Sequence, residues 1–253
     1  EDEIRKIVKD EMFMQYYSVE EHGGLEGKNV LRINERMNLS DEEKPGIEKS
    51  KKKLLEYREK RVHPAIDKKI IVSWNALMVS GFVAYGRYCG NEEAIQIACD
   101  ACKNILKECW DGKRLLRVFG KKALPGFLED YSFFINALLD LHEVGFDSRF
   151  LENAKLVADA AIGLFYRGRF FDSSEEHDKM YIKTYNAQDN VLPSGCSKMV
   201  FALFRLQQIL HNLGYEKIIE QELKLNMQGM NDYPLNYSVL IMVMHGLFFG
   251  FYG

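Results

Sequence analysis

Proline is scarce in this chain, five residues in 253, and glycine contributes only nineteen. Apolar residues are plentiful and evenly spread, so a disordered polymer is excluded. An excess of either charge is also missing. The formal net charge is −3, from 34 basic and 37 acidic residues, which gives neither nucleic-acid binding nor adhesion to an acidic membrane any electrostatic support. No N-terminal segment has the charged, apolar and small-residue order of a signal peptide. The longest apolar run, 239–252, is broken by His245 and is shorter than the ~20 residues a membrane span needs. It is expected to form a helix buried on all sides. Cysteines are five, an odd number, at Cys89, Cys99, Cys102, Cys109 and Cys196, all within helical patterns. That excludes a secreted disulfide scaffold and points to a cytoplasmic, reducing home.

What is present is helical periodicity. Hydrophobic residues make up 47% of the chain and charged ones 28%, enough for one large domain or two small ones. Trp74, Leu77, Met78, Phe82, Tyr85 and Cys89 recur at helical spacing until Gly90. Asn91 then caps a partner helix with Glu92 and Glu93 in its first turn. Tyr131, Phe134, Ile135, Leu138 and His142 form a second stripe that ends at Gly145, and Asp147 caps its partner. A third pair covers about 194–212 and 215–228, and a last helix opens near Pro234. Two more helices lie upstream, at about 1–17 and 41–60, with Ser40 and Glu43 forming a capping box for the second.

The hairpins repeat. Trp110-Asp111-Gly112-Lys113-Arg114-Leu115 follows one pair and Phe165-Tyr166-Arg167-Gly168-Arg169-Phe170 the next, so a unit of about 55 residues recurs. Strand-like pieces at 114–118 and 180–184 fit as small hairpins on one rim. The first helix of each pair is the greasier, which predicts an inner and an outer ring: an all-α fold, an α/α-toroid of helical hairpins. Parallel inner helices gather their N-termini at one mouth. There lie Trp74 and Asn75, Glu129, Asp130 and Tyr131, Ser194, and Tyr237, a polar and aromatic set suited to a small ligand.

Four segments carry a family resemblance. Glu26-Gly27-Lys28-Asn29-Val30-Leu31 comes first, then Pro64-Ala65-Ile66-Asp67-Lys68-Lys69 leading into Trp74-Asn75. Pro125-Gly126-Phe127-Leu128-Glu129-Asp130-Tyr131 and Asp189-Asn190-Val191-Leu192-Pro193-Ser194-Gly195 follow. Together they resemble the helical region of the spermatogenesis-associated, thioredoxin-domain-containing (YyaL-type) family. The resemblance implies a six-hairpin glycosidase-like toroid, similar to sugar 2-epimerases and several glycoside hydrolases. It also implies a thioredoxin-like domain upstream in full-length relatives. About nine helices are counted where a full toroid has about twelve. The expectation is therefore a single toroid domain over 1–253, a fragment of a longer protein whose thioredoxin-like domain is absent here. Three positions depart from the family pattern: Ala76 stands for glycine, Cys196 for asparagine, and Asp67-Lys68 for an acidic pair.

Glycoside chemistry needs two carboxylates, one protonated and one ionised. Glu129, Asp130 and Asp189 are the catalytic candidates; Asp67, Trp74, Asn75, Tyr131, Ser194 and Tyr237 are the substrate-binding ones. Each has a structural alternative. Acidic residues at a helix start are commonly caps, aromatics at helical spacing commonly core, and Asn75 can bond the backbone instead of a ligand. The histidines His63, His142, His177, His211 and His245 match no epimerase motif. Cys99 and Cys102 form a C-x-x-C in mid-helix, where no redox centre is built. No second Cys or His pair stands at zinc spacing, and no glycine loop cradles a phosphate. No metal and no cofactor are expected. Three readings stay open: a glycosidase- or epimerase-like enzyme with a sugar or other small-molecule ligand, a non-catalytic binding or scaffold module working with a thioredoxin-like domain, and a helical array for protein contacts.

Overall fold

A computed structural model describes residues 2–120, 124–175, 177 and 183–250. The chain divides into two compact units, 1–67 and 68–253.

The N-terminal unit holds three helices, α1 (Asp2–Ile7), α2 (Glu11–Tyr16) and α3 (Lys44–Arg58). Its small core is Val8, Phe13, Met14 and Ile47, with Ile4, Ile7, Met12, Tyr16, Tyr17, Val19, Leu39 and Leu54 packed against it. Asp10 joins the helices. Its Oδ1 accepts from Phe13 N at 3.3 Å, capping α2, and its Oδ2 accepts from Ser50 Oγ of α3 at 3.0 Å. Glu43 reaches back to Ser40, accepting from its N–H and hydroxyl at 2.8 Å each, one half of the capping box read from the sequence.

The C-terminal unit is a succession of helical hairpins. They are α4 (Val72–Cys89) with α5 (Glu92–Cys109), α6 (Leu128–Gly145) with α7 (Ser148–Phe165), and α8 (Gly195–Leu210) with α9 (Leu213–Asp232). A 3-10 turn at Pro234–Tyr237 leads into α10 (Ser238–Phe249). The caps are local and as expected. Asn91 accepts from Ala94 N, Asp147 from Arg149 N and Ser194 from Ser197 N. Gly90 closes α4 in the left-handed region, whereas α6 closes on Phe146 at φ 50°, one residue past the expected glycine.

The greasier helices form the inner layer. α6 packs on α4 at one side and on α8 at the other, as well as on its partner α7, and α10 packs on α8. With neighbours on three sides, α6 buries twelve residues between Leu128 and Leu141. The end helices differ. α4 buries Val72, Ala76, Val79 and Val83 but leaves Trp74, Met78, Tyr85 and Tyr88 exposed. α10 was expected to be buried all round; it buries Leu240, Val243 and Gly246, while Phe248 is 77% exposed and Phe249 63%. Among the described residues of this unit, each end helix has an inner neighbour on one side only, so its apolar circumference is only half used. No helix among the described residues is long and apolar enough to cross a membrane.

The repeat of the rim segments is real in three dimensions. Trp110 bridges Leu115 and Tyr166 bridges Phe170, each across a turn whose glycine, Gly112 or Gly168, has φ of 93° or 80°. That left-handed region costs glycine no steric penalty. Of the strand-like pieces, 114–118 makes isolated bridges only, and 180–182 of the second lies outside the described residues.

Glu222 on α9 is fully buried within this unit. Its Oε1 accepts from Phe170 N at 2.7 Å and its Oε2 from Tyr185 OH at 3.2 Å and Cys196 Sγ at 3.5 Å. Burial pushes the carboxyl up, against the pull of those three donors and of Arg169. A carboxyl raised in the folded state stabilises fully below its unfolded value and loses that contribution as pH rises through the folded one. Glu222→Gln, which keeps the acceptor for Phe170, should therefore flatten the decline of Tm as pH rises above about 4. Parallel Tm–pH curves for the two proteins would overturn this.

Candidate functional site

A cavity of about 640 Å³ opens at the N-termini of α6 and α8. Arg117, Phe127, Glu129, Asp172, Gln188 and Ser194 contribute its functional groups, and residues 190–193 complete one wall.

The repeat explains how two of these arrive. Arg117 and Asp172 are 55 residues apart and hold the same place after their rim turns. Arg117 O accepts from Val72 N, the first residue of α4, at 2.8 Å, and Asp172 O accepts from Leu128 N, the first residue of α6, at 3.0 Å. Each rim turn thus supplies a backbone acceptor to an otherwise unpaired N–H of an inner helix. The residue that does so is held at the mouth. Neither Arg117 nor Asp172 was singled out from the sequence. The signal was there in the 55-residue register.

Arg117 organises one side. Its Nη1 donates to Glu129 Oε1 at 2.7 Å and to Asp130 Oδ2 at 3.0 Å, and its guanidinium lies over the Phe127 ring, 5.0 Å from the centroid. The Phe127 ring also meets His177, with ring centroids 4.2 Å apart. Asp172 has no such cation; it forms no ion pair among the described residues. Burial pushes its carboxyl above the usual range, a hydrogen bond with Thr184 opposes this, and the charge of Glu129 adds to it. Two carboxylates in contact with one cavity thus have unlike surroundings.

The residues expected at the mouth fall into three groups. Glu129 and Ser194 line the cavity, and Ser194 also caps α8. Asp130, Asp189 and Tyr237 stand behind its walls. Asp130 is completely buried; its Oδ1 accepts from Ser73 N at 3.0 Å and its Oδ2 from Phe127 N at 2.9 Å. Burial pushes its carboxyl up, while Arg117 and the two N–H groups hold it down. Asp189 Oδ1 accepts from Ser194 N at 3.1 Å and from Ser197 Oγ, and its Oδ2 accepts from Val239 N at 2.9 Å and Ser238 Oγ at 3.3 Å. One carboxylate therefore caps both α8 and α10. Tyr237 OH accepts from Gln188 Nε2 at 3.2 Å and so braces a cavity residue.

The rest lie elsewhere. Tyr131 is core; its OH accepts from Leu115 N at 2.7 Å and its ring meets Phe165 edge-on. Trp74 is 59% exposed on α4, outside the lining, and Asn75 Nδ2 donates to Ile71 O at 2.8 Å, the backbone alternative. Asp67 ends the N-terminal unit, in an exposed stretch outside any helix. Among the positions that depart from the family pattern, Ala76 and Cys196 are both fully buried, the latter against Glu222. In the C-x-x-C pair, burial pushes the Cys102 thiol far up, which leaves no thiolate for redox chemistry.

No protein-family model matches the chain. In sequence it is similar to human spermatogenesis-associated protein 20, 27% identical over 234 residues that cover 79% of this chain and 30% of that protein. It is equally similar to an uncharacterized protein of Caenorhabditis elegans, 27% identical over 253 residues, 90% of this chain and 34% of that one. The chain therefore spans about a third of the length of the curated relatives it matches. In structure it is similar to the GH76 α-mannanase of Bacteroides thetaiotaomicron, with TM-score 0.55, 11% identity, and 81% of this chain and 64% of that one covered. An inactive variant of an α-1,6-mannanase from Salegentibacter sp. HEL1_6, in complex with α-1,6-mannotriose, gives TM-score 0.50 at 13% identity, over 73% and 54%. These likenesses bear out both the family resemblance and the all-α toroid fold.

Proposed function

We propose, from this likeness and from the cavity, that the C-terminal unit is a carbohydrate-active domain that cleaves a glycosidic bond. The observation that carries the reading is the unequal pair. Glu129 is held by Arg117 as an ion pair, while Asp172 is raised by burial and forms no ion pair among the described residues. That is the division glycoside hydrolysis requires, with Asp172 delivering a proton to the leaving oxygen as its bond to the sugar breaks and Glu129 taking the proton of the water that adds to the sugar carbon. Phe127 adds apolar surface to the cavity lining, and Gln188, Asn186 and Asn190 offer amide groups to a sugar's hydroxyls. Epimerisation next to a carbonyl would favour a histidine facing the substrate. The cavity lining holds carboxylates and amides instead, which favours the hydrolase over the epimerase. Asp130 and Asp189 act in this reading as positioning residues, through Arg117 and through the α8 start.

The test is turnover of a panel of aryl glycosides and manno-oligosaccharides. Activity should fall by about 10²–10⁴ in Asp172→Asn and Glu129→Gln, with the Tm of both variants unchanged. Binding of a sugar without turnover, unaltered by either substitution, would favour the non-catalytic module serving a thioredoxin-like domain.

A further inference from the structure

The neutral balance of the chain hides a local imbalance. Helix α3 of the N-terminal unit carries Lys44, Lys49, Lys51, Lys52, Lys53 and Arg58 against Glu48 and Glu56 alone. Two depressions lie along it. One, about 530 Å³, has Phe13, Tyr17, Leu31, Leu54 and Leu55 as its apolar floor and Lys51, Lys52 and Arg58 at its edge. The other, about 340 Å³, is lined by Tyr16, Ile33, Met37, Leu39 and Ile47, with Lys44 at its edge. Tyr17, Glu48 and Lys51 belong to both and form the wall between them.

The cations are in register. Lys44, Lys51 and Arg58 are each seven residues apart, so they line one stripe of the helix at intervals of about two turns, roughly 10 Å. Ile47 and Leu54 follow at the same interval, beneath the depressions. All three cations are exposed, and their ion pairs are local: Lys44 with Asp41 at 2.7 Å, Lys51 with Glu48 at 2.7 Å, Arg58 with Glu59 at 3.9 Å. Exposed pairs of this kind are worth little and are readily exchanged. Lys52 forms no ion pair among the described residues.

We propose that this face of α3 docks an acidic amphipathic helix of a partner protein. Two apolar anchors would enter the two depressions, and carboxylates at seven-residue spacing would meet Lys44, Lys51 and Arg58. A single small ligand would fill one depression and leave the other. A nucleic-acid backbone would meet the cations but leave the apolar floors open to water. The helix satisfies both features, by the groove mode of peptide recognition.

The full chain should be titrated with a labelled helical peptide of about three heptads, with leucine at a and d and glutamate at e and g. Saturable binding in the micromolar range is expected. It should weaken by about tenfold or more in Lys51→Glu/Arg58→Glu, whose circular dichroism and Tm should match the wild type because both positions are exposed. A peptide with lysine at e and g should fail with the wild type and bind the reversed variant. Unchanged affinity in the variant, or no binding of the acidic peptide, overturns the proposal. So does tighter binding of a short DNA duplex or of phosphatidylserine vesicles, which would reassign the surface.

Discussion

Asp130→Ala should destabilise the protein by about 3–5 kcal/mol, the range for breaking one side of a buried, hydrogen-bonded charge pair. The carboxylate accepts from Ser73 N at the start of α4, from Phe127 N at the start of α6 and from Arg117 on the rim. Removing it leaves the two backbone donors without their partner and strips Arg117 of one of its two carboxylates, Glu129 remaining. Asp130→Asn keeps the volume and one good acceptor but loses the charge facing Arg117, so about 1–3 kcal/mol is expected. Denaturant titration of the three proteins gives the order. If Asp130→Ala lies within about 1 kcal/mol of the wild type, the clamp is not what joins these segments.

Gly195→Val should also destabilise, though less, and for a steric reason. A Cβ at this position would stand 2.9 Å from Glu129 N and 3.2 Å from Glu129 Cα. Those are backbone atoms of α6 and cannot rotate aside. The two inner helices would have to part at their N-termini, where the cavity lies. Overpacking of this kind costs about 1–3 kcal/mol, a fall in Tm of roughly 2–12 °C for a unit of this size. The same movement would displace Glu129, so the sugar binding proposed above should weaken beyond what the loss of stability explains. A wild-type Tm would show that the approach of α8 to α6 is not tight.

Much of this molecule is legible in its sequence because helices are specified locally. Caps act over two or three residues, so Asn91, Asp147 and Ser194 could each be placed from neighbouring letters, and the structure has them accepting from Ala94, Arg149 and Ser197. The 55-residue register of the rim turns follows from aromatic, glycine and apolar residues in order. The inner character of α6 follows from its being apolar on most sides. What the sequence could not decide is which way a polar residue at a helix start would turn. Asp189 and Asp172 look alike as letters, yet Asp189 turns inward to cap two helices, with one partner, Val239, 50 residues away. Asp172, whose carbonyl serves α6, stands at the cavity. Asp130 is committed by Ser73, 57 residues away, and one side of α10 is exposed because, among the described residues, no helix packs there. Hydrogen-bond donors fix a carboxylate wherever folding delivers them, and delivery over such separations depends on how whole helices pack. Local chemistry therefore determined the elements and their ends, and only the tertiary packing divided the carboxylates between holding the fold and facing the cavity.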